Sequence, residues 1–124
     1  LRPPPTSQWA AVPPLDGPQD CVAEMRAIYD ERRKLLMPAL REMGFSFGEP
    51  RGGLYIWLNI SSTGVDSTTL SYRFLQEADV LILPGTGFGD RWHDYMRMTI
   101  LQPKDVLAEV VERMQTVITR GVVS

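Results

Sequence analysis

Apolar positions along the chain change period four times, and each change marks an element. From Pro18, apolar side chains fall at Cys21/Val22, Met25, Ile28/Tyr29, Leu35/Leu36, Ala39/Leu40 and Met43, a 3.6-residue stripe that predicts a helix ending at Gly44. Pro18 and Asp20 suit its first turn, and Pro38 should kink it. The segment 45–50, "FSFGEP", alternates weakly and predicts a short strand. In "LYIWLNI" (54–60) the alternation is strict: Leu54, Ile56, Leu58 and Ile60 point one way, Tyr55, Trp57 and Asn59 the other.

After the turn-rich "SSTGVDS", Asp66 or Ser67 can cap a helix carrying Leu70, Phe74, Leu75 and Ala78 on one face and ending at Asp79. "VLIL" (80–83) predicts a short buried strand. "YMRMTI" (95–100) predicts another, with Met96, Met98 and Ile100 on one side and Tyr95, Arg97 and Thr99 opposite. A final helix from Pro103 buries Val106/Leu107, Val110/Val111, Met114 and Val117/Ile118. The expected architecture is α+β: a small, mostly antiparallel sheet with three helices packed on one face. Residues 1–17 hold five prolines in their first 14 positions. They are expected to form no regular element beyond a helical turn at "SQWAAV", and to be a connecting segment, the domain being 18–124 of a longer polypeptide.

Composition narrows the function classes. The 124 residues carry net charge −2, with 23% charged and no basic run or basic helix face, which argues against a nucleic-acid partner. No apolar stretch approaches the ~20 residues that cross a bilayer. The single Cys21 suits a reducing, cytoplasmic setting and is expected in the core, as are Met25, Met43, Met96, Met98 and Met114. No His, Cys or carboxylate cluster has metal-ligand spacing.

Two features carry candidate chemistry. Arg97 stands mid-strand, where its side chain faces either solvent or a cavity, since an unpaired buried guanidinium is too costly. It is either a surface residue paired with an acid such as Asp94, or a fork of donors for a carboxylate or phosphate. The loop "LPGTGFG" (83–89) alternates glycines at 85, 87 and 89, which permits close backbone approach, but it matches neither a P-loop nor a dinucleotide fingerprint. His93 reads as a surface loop residue rather than a base, and no catalytic group is assigned.

The ordered phrases "GPQDCVAEMRAIYDERRKLLMPALREMGF", "EPRGGLYIWLNI", "FLQEADVLILPGTGFG" and "YMRMTILQPKDVLAEVVERM" resemble the C-terminal small domain of class I/II aminotransferases, pyridoxal-phosphate enzymes of fold type I. The resemblance covers nearly all of 18–124. It implies that Arg97 grips the α-carboxylate of an amino-acid substrate and that Phe88 and Gly87 belong to the pocket wall. It also implies a parent homodimer that moves an amino group between an amino acid and a 2-oxo acid. In that family the Schiff-base lysine, the phosphate site and half the pocket belong to the large domain of the same chain. Lys34, in "ERRKLL", and Lys104, after Pro103, match no such motif, so this piece is expected to bind no cofactor and to be inactive alone. Asp79 stands where the family often has glycine, and "DRWHD" replaces a stretch richer in small residues. The alternatives are a non-enzymatic carboxylate-binding module, such as the aminotransferase-like part of a regulator, and a relative performing β-elimination or decarboxylation.

Overall fold

The computed structural model describes residues 2–121. Its helices are α1 (Pro5–Asp16), α2 (Asp20–Glu42), α3 (Ser67–Ala78) and α4 (Lys104–Thr119). Its strands are β1 (Tyr55–Asn59), β2 (Leu83–Pro84) and β3 (Tyr95–Thr99). The sheet order is β1-β3-β2 with both pairings antiparallel, so β3 is central. Ile56 and Leu58 of β1 and Met96 and Met98 of β3 turn inward. There they meet Leu36 and Leu40 of α2, Leu70 and Phe74 of α3, and Leu107, Met114 and Val117 of α4 in one core. The architecture is the expected α+β arrangement, with α2, α3 and α4 on one face.

The alternation read along 54–60 and 95–100 holds residue by residue: Ile56, Leu58, Ile60, Met96, Met98 and Ile100 are buried. A one-residue slip of either strand would turn its three side chains outward, so burial of one face pins the register. The ends of α3 also follow the sequence. The Asp66 carboxylate accepts the Thr68 and Thr69 amides at 2.9 and 3.1 Å, and Asp79 adopts the left-handed conformation at φ 54°. Gly44, at φ 86°, follows the C-cap of α2 as expected.

Four expectations fail. Residues 5–16 form a full helix, α1, with Pro5 at its start and Pro13 and Pro14 inside. Pro5 costs nothing there, because a first-turn amide has no helical acceptor; the other two remove late amides only. The helix buries nothing. Residues 45–50 form no strand: Ser46 and Asn59 exchange two backbone hydrogen bonds in a lone bridge, after which Gly48 and Pro50 interrupt pairing.

The 80–83 strand shrinks to Leu83–Pro84, because the chain leaving α3 spends its backbone elsewhere. The Val80 amide donates to Phe74, and the Ile82 carbonyl accepts the Ser71 hydroxyl at 2.6 Å. Finally, Cys21 is exposed rather than in the core, as are Met25, Val22 and Ile28. At 23 residues α2 is about 34 Å long, and its buried residues, Leu36, Met37 and Leu40, all lie in its C-terminal half. It runs through Pro38 as one element. Leu75 and Val106 likewise lie at the exposed margins of their stripes.

Candidate carboxylate site on the open face of the sheet

The sheet face turned away from the helices carries Tyr55, Trp57, Tyr95, Arg97 and Thr99, which follows from the same alternation. Arg97 lies at its centre, opposite Trp57 of β1 on one side and Leu83 of β2 on the other. Two short 3-10 turns between β2 and β3, Gly85–Phe88 and Asp90–Trp92, fold Phe88 and Trp92 onto this face. The Trp57 ring is the hub. Phe88 and Trp92 meet it edge-on, each at 5.4 Å between centroids. Tyr95 stacks on it at 5.7 Å.

Close approach of this loop depends on Gly85. A Cβ there would lie 2.2 Å from the Trp92 carbonyl oxygen and 2.6 Å from that of Tyr95. The loop is pinned further by backbone bonds: the Ser67 amide donates to the His93 carbonyl at 2.7 Å and the Ile60 amide to the Asp94 carbonyl at 2.8 Å. Arg32 of α2 reaches over to the Ile100 and Leu101 carbonyls at 3.0 and 2.9 Å, fixing the far end of β3. Arg97 is thereby held on a strand anchored at both ends.

The surface ion pair with Asp94 is not formed. The Asp94 carboxylate faces His93 Nε2 at 3.4 Å, and among the described residues the Arg97 side chain has neither a salt bridge nor a hydrogen bond. Its Nε is shut off from solvent without a partner, while its terminal nitrogens are not buried. Its Cζ sits 4.4 Å from the Tyr55 ring centroid and 4.6 Å from that of Phe88. The accessible edge of the guanidinium is therefore the Nη1–Nη2 fork, whose geometry matches the two oxygens of a carboxylate. An open groove of about 500 Å³, lined by Tyr55, Leu81, Leu83, Arg97, Thr99 and Leu101 among others, runs along one side. A second, lined by Phe47, Tyr55, Trp57, Asn59 and Tyr95, runs along the other.

Of the residues singled out from the sequence, Arg97 and Phe88 come together. Gly87 lies in the same turn but makes no close approach. His93 is exposed at the loop's edge, its Nδ1 3.3 Å from the Asp90 carbonyl. The sequence pattern does not single out Tyr55, Trp57, Trp92 or Tyr95 as site residues, although its alternation turns Tyr55, Trp57 and Tyr95 away from the core. Among the described residues no group of three or more His, Cys, Asp or Glu could hold a metal, and no helix is long and apolar enough to cross a membrane.

Pyridoxal phosphate, which the resemblance implies, needs a lysine able to lose its proton and condense with an aldehyde. Neither lysine of this chain fits. Lys34 is exposed on α2 and ion-paired with Asp30 at 2.6 Å; that hydrogen bond pushes its pKa upward and favours the unreactive ammonium. Lys104 is exposed at the start of α4, 3.7 Å from Glu31. Neither lines the grooves beside Arg97.

Comparison with known proteins bears on the family and the fold. The family model for aminotransferase class I and II matches residues 4–114. The chain is 38% identical over 108 residues to LL-diaminopimelate aminotransferase of Syntrophobacter fumaroxidans, covering 87% of this chain and 28% of that protein. Against aspartate aminotransferase of Pyrococcus abyssi it is 37% identical over 113 residues, 90% of this chain and 29% of the relative. Among solved structures, alanine aminotransferase from Pyrococcus furiosus superposes with a TM-score of 0.83 at 30% identity, covering 91% of this chain and 29% of that one. An aromatic aminotransferase from Pyrococcus horikoshii OT3 superposes with a TM-score of 0.78 at 39% identity, covering 82% and 27%. The chain thus spans little more than a quarter of the length of these relatives. On fold and sequence together, it belongs to the class I and II aminotransferases.

Proposed function

We propose that this chain is the small domain of an aminotransferase and that Arg97 supplies its grip on the α-carboxylate of an amino-acid or 2-oxo-acid substrate. The observation that carries the reading is the state of the guanidinium. Arg97 is central in the sheet, unpaired among the described residues, and offers its terminal nitrogens to a groove. A half-buried arginine that pairs with no acid of its own domain is complementary to an acid from outside. Phe88 and Gly87 belong to the turn that walls the approach. The chain's own role is to bind and orient the substrate. The covalent chemistry of pyridoxal phosphate falls to a lysine of a large domain of the same polypeptide, because Lys34 and Lys104 do not fit it. The intact enzyme acts as a cytoplasmic homodimer, and the piece alone is inactive. The relatives bear names that span diaminopimelate, aspartate, alanine and aromatic substrates, so the side chain of the amino acid stays open.

The test is Arg97→Lys in the intact enzyme. Lysine keeps the charge and loses the fork, and KM for the amino acid should rise roughly 10- to 100-fold, with the larger share of the loss in KM. Near-normal kcat/KM in this variant removes the assignment. The misfit of both lysines fits equally a second reading, a carboxylate-binding regulatory module that uses the same arginine without catalysis. Absence of any transaminase activity in the full-length protein, with carboxylate binding retained, would select it.

A further inference from the structure

We propose that Tyr55 and Phe88 are positioning residues for Arg97: their two rings, rather than an acidic partner, hold the guanidinium so that it meets a carboxylate end-on. An arginine side chain has four rotatable bonds and normally needs a carboxylate or a carbonyl to fix its head. Here neither is present among the described residues, since Asp94 is turned to His93. What does touch the guanidinium is aromatic, Tyr55 at 4.4 Å and Phe88 at 4.6 Å from Cζ. Such contacts attract a cation through the ring quadrupole and use none of its N–H donors.

The rings are themselves held. Tyr55 stands on β1 two residues before Trp57, the residue paired with Arg97, and so reaches Arg97 along the diagonal of one sheet face. Phe88 is pressed edge-on against Trp57, 5.4 Å between centroids, at the end of the turn that Gly85 lets close. The ring contacts accompany the burial of Nε, which closes the side-on approach through Nε and one terminal nitrogen. A salt bridge would have fixed Arg97 equally well, but it would occupy the donors and neutralise the charge that the substrate needs. Aromatic positioning leaves both available.

The inference rests on the carboxylate reading of Arg97, and its test separates the two. In the intact enzyme, KM for the amino acid and Ki for propionate, a carboxylate without an amino group, are measured in five forms: wild type, Tyr55→Phe, Tyr55→Leu, Phe88→Leu and Arg97→Lys. Loss of one ring contact should raise Ki and KM roughly three- to tenfold, by more than kcat falls, with Tyr55→Phe remaining within about twofold of wild type. If Arg97→Lys weakens propionate binding while both leucine variants stay within about twofold, the positioning role is overturned and the carboxylate reading survives. If Arg97→Lys changes neither Ki nor KM, both are overturned.

A second measurement covers the case of poorly folding leucine variants. In the 124-residue chain, the Arg97 Nε–H proton should show a ring-current shift upfield and slow exchange with water. A signal at the ordinary arginine position, in fast exchange, overturns the proposal.

Discussion

Replacing Gly85 by alanine should damage the fold and the site together, and the size of the effect can be worked from the loop itself. The added Cβ would sit 2.2 Å from the Trp92 carbonyl oxygen, 2.6 Å from that of Tyr95 and 3.0 Å from the Trp92 Cβ. A carbon and an oxygen in ordinary contact stand about 3.3 Å apart, so backbone must move by about 1 Å. No flexible side-chain end can absorb the shift, because the two shortest contacts are to main-chain atoms at the entry of β3. Overpacking of this kind costs about 2–3 kcal/mol. With an unfolding entropy of about 2.1 cal/mol/K per residue over 124 residues, Tm should fall by roughly 8–12 °C. Gly87 supplies the control. It lies in the same turn, has no heavy atom within 4 Å of an added Cβ, and is not in the left-handed region. Gly87→Ala should leave Tm unchanged or raise it slightly, through the reduced entropy of the unfolded chain. Thermal unfolding followed by circular dichroism decides the matter. Should Gly85→Ala melt within about 2 °C of Gly87→Ala, the loop is not closed as described and the placement of Phe88 beside Arg97 loses its support.

Asp66→Ala should cost about 1 kcal/mol near neutral pH, since it removes the N-cap of α3. The Thr69 hydroxyl first, and then the Thr69 and Thr68 amides, hold the Asp66 carboxyl below its ordinary value of 3.8. Its contribution is therefore present above that value and is lost as pH falls through the lower folded value. The gap between wild type and Asp66→Ala in urea unfolding should narrow from about pH 6 to about pH 3; a constant gap would show that the ionised cap does not stabilise α3. Mixing the chain with pyridoxal phosphate should produce no internal-aldimine absorbance. Stoichiometric, borohydride-trapped adduct at Lys34 or Lys104 would contradict the reading of both lysines as ion-paired surface groups.

The legible parts of the fold are those set by one local rule. Strand faces at 55–59 and 95–99 follow from period-two alternation, and the ends of α3 follow from what Asp66 and Asp79 can do with their own backbone. The parts that the pattern misplaces depend on partners. A stripe along α2 announces an apolar face without saying how far the sheet beneath it extends, so Cys21 and Met25 read as core and lie exposed. "VLIL" has strand composition, yet the Ile82 carbonyl is taken by Ser71, eleven residues earlier in the chain. Prolines 13 and 14 suggested a break, but they fall where a helix is ending anyway. The site divides in the same way. Arg97 was visible as a charge out of place in a strand, and Tyr55 was visible on its face. That Phe88 reaches the guanidinium depends on two 3-10 turns whose geometry no periodicity encodes.

On the proposed role of Arg97, its uneven burial predicts that a lysine would not serve. On this face Nε lies out of solvent while the terminal nitrogens are open. The charge is delocalised over a plane, so the rings of Tyr55 and Phe88 can hold the inner part of the group and leave its outer edge free for the proposed carboxylate. A lysine has one compact charge and would have to choose between ring contact and ligand contact. It would also lose the geometric match to two carboxylate oxygens. The loss on Arg97→Lys should therefore exceed what the missing hydrogen bond alone would cost. It should also shrink when Tyr55→Leu is already present, because the pre-set orientation that lysine cannot exploit is by then gone. Additive losses in the double variant would mean that the rings and the fork act independently.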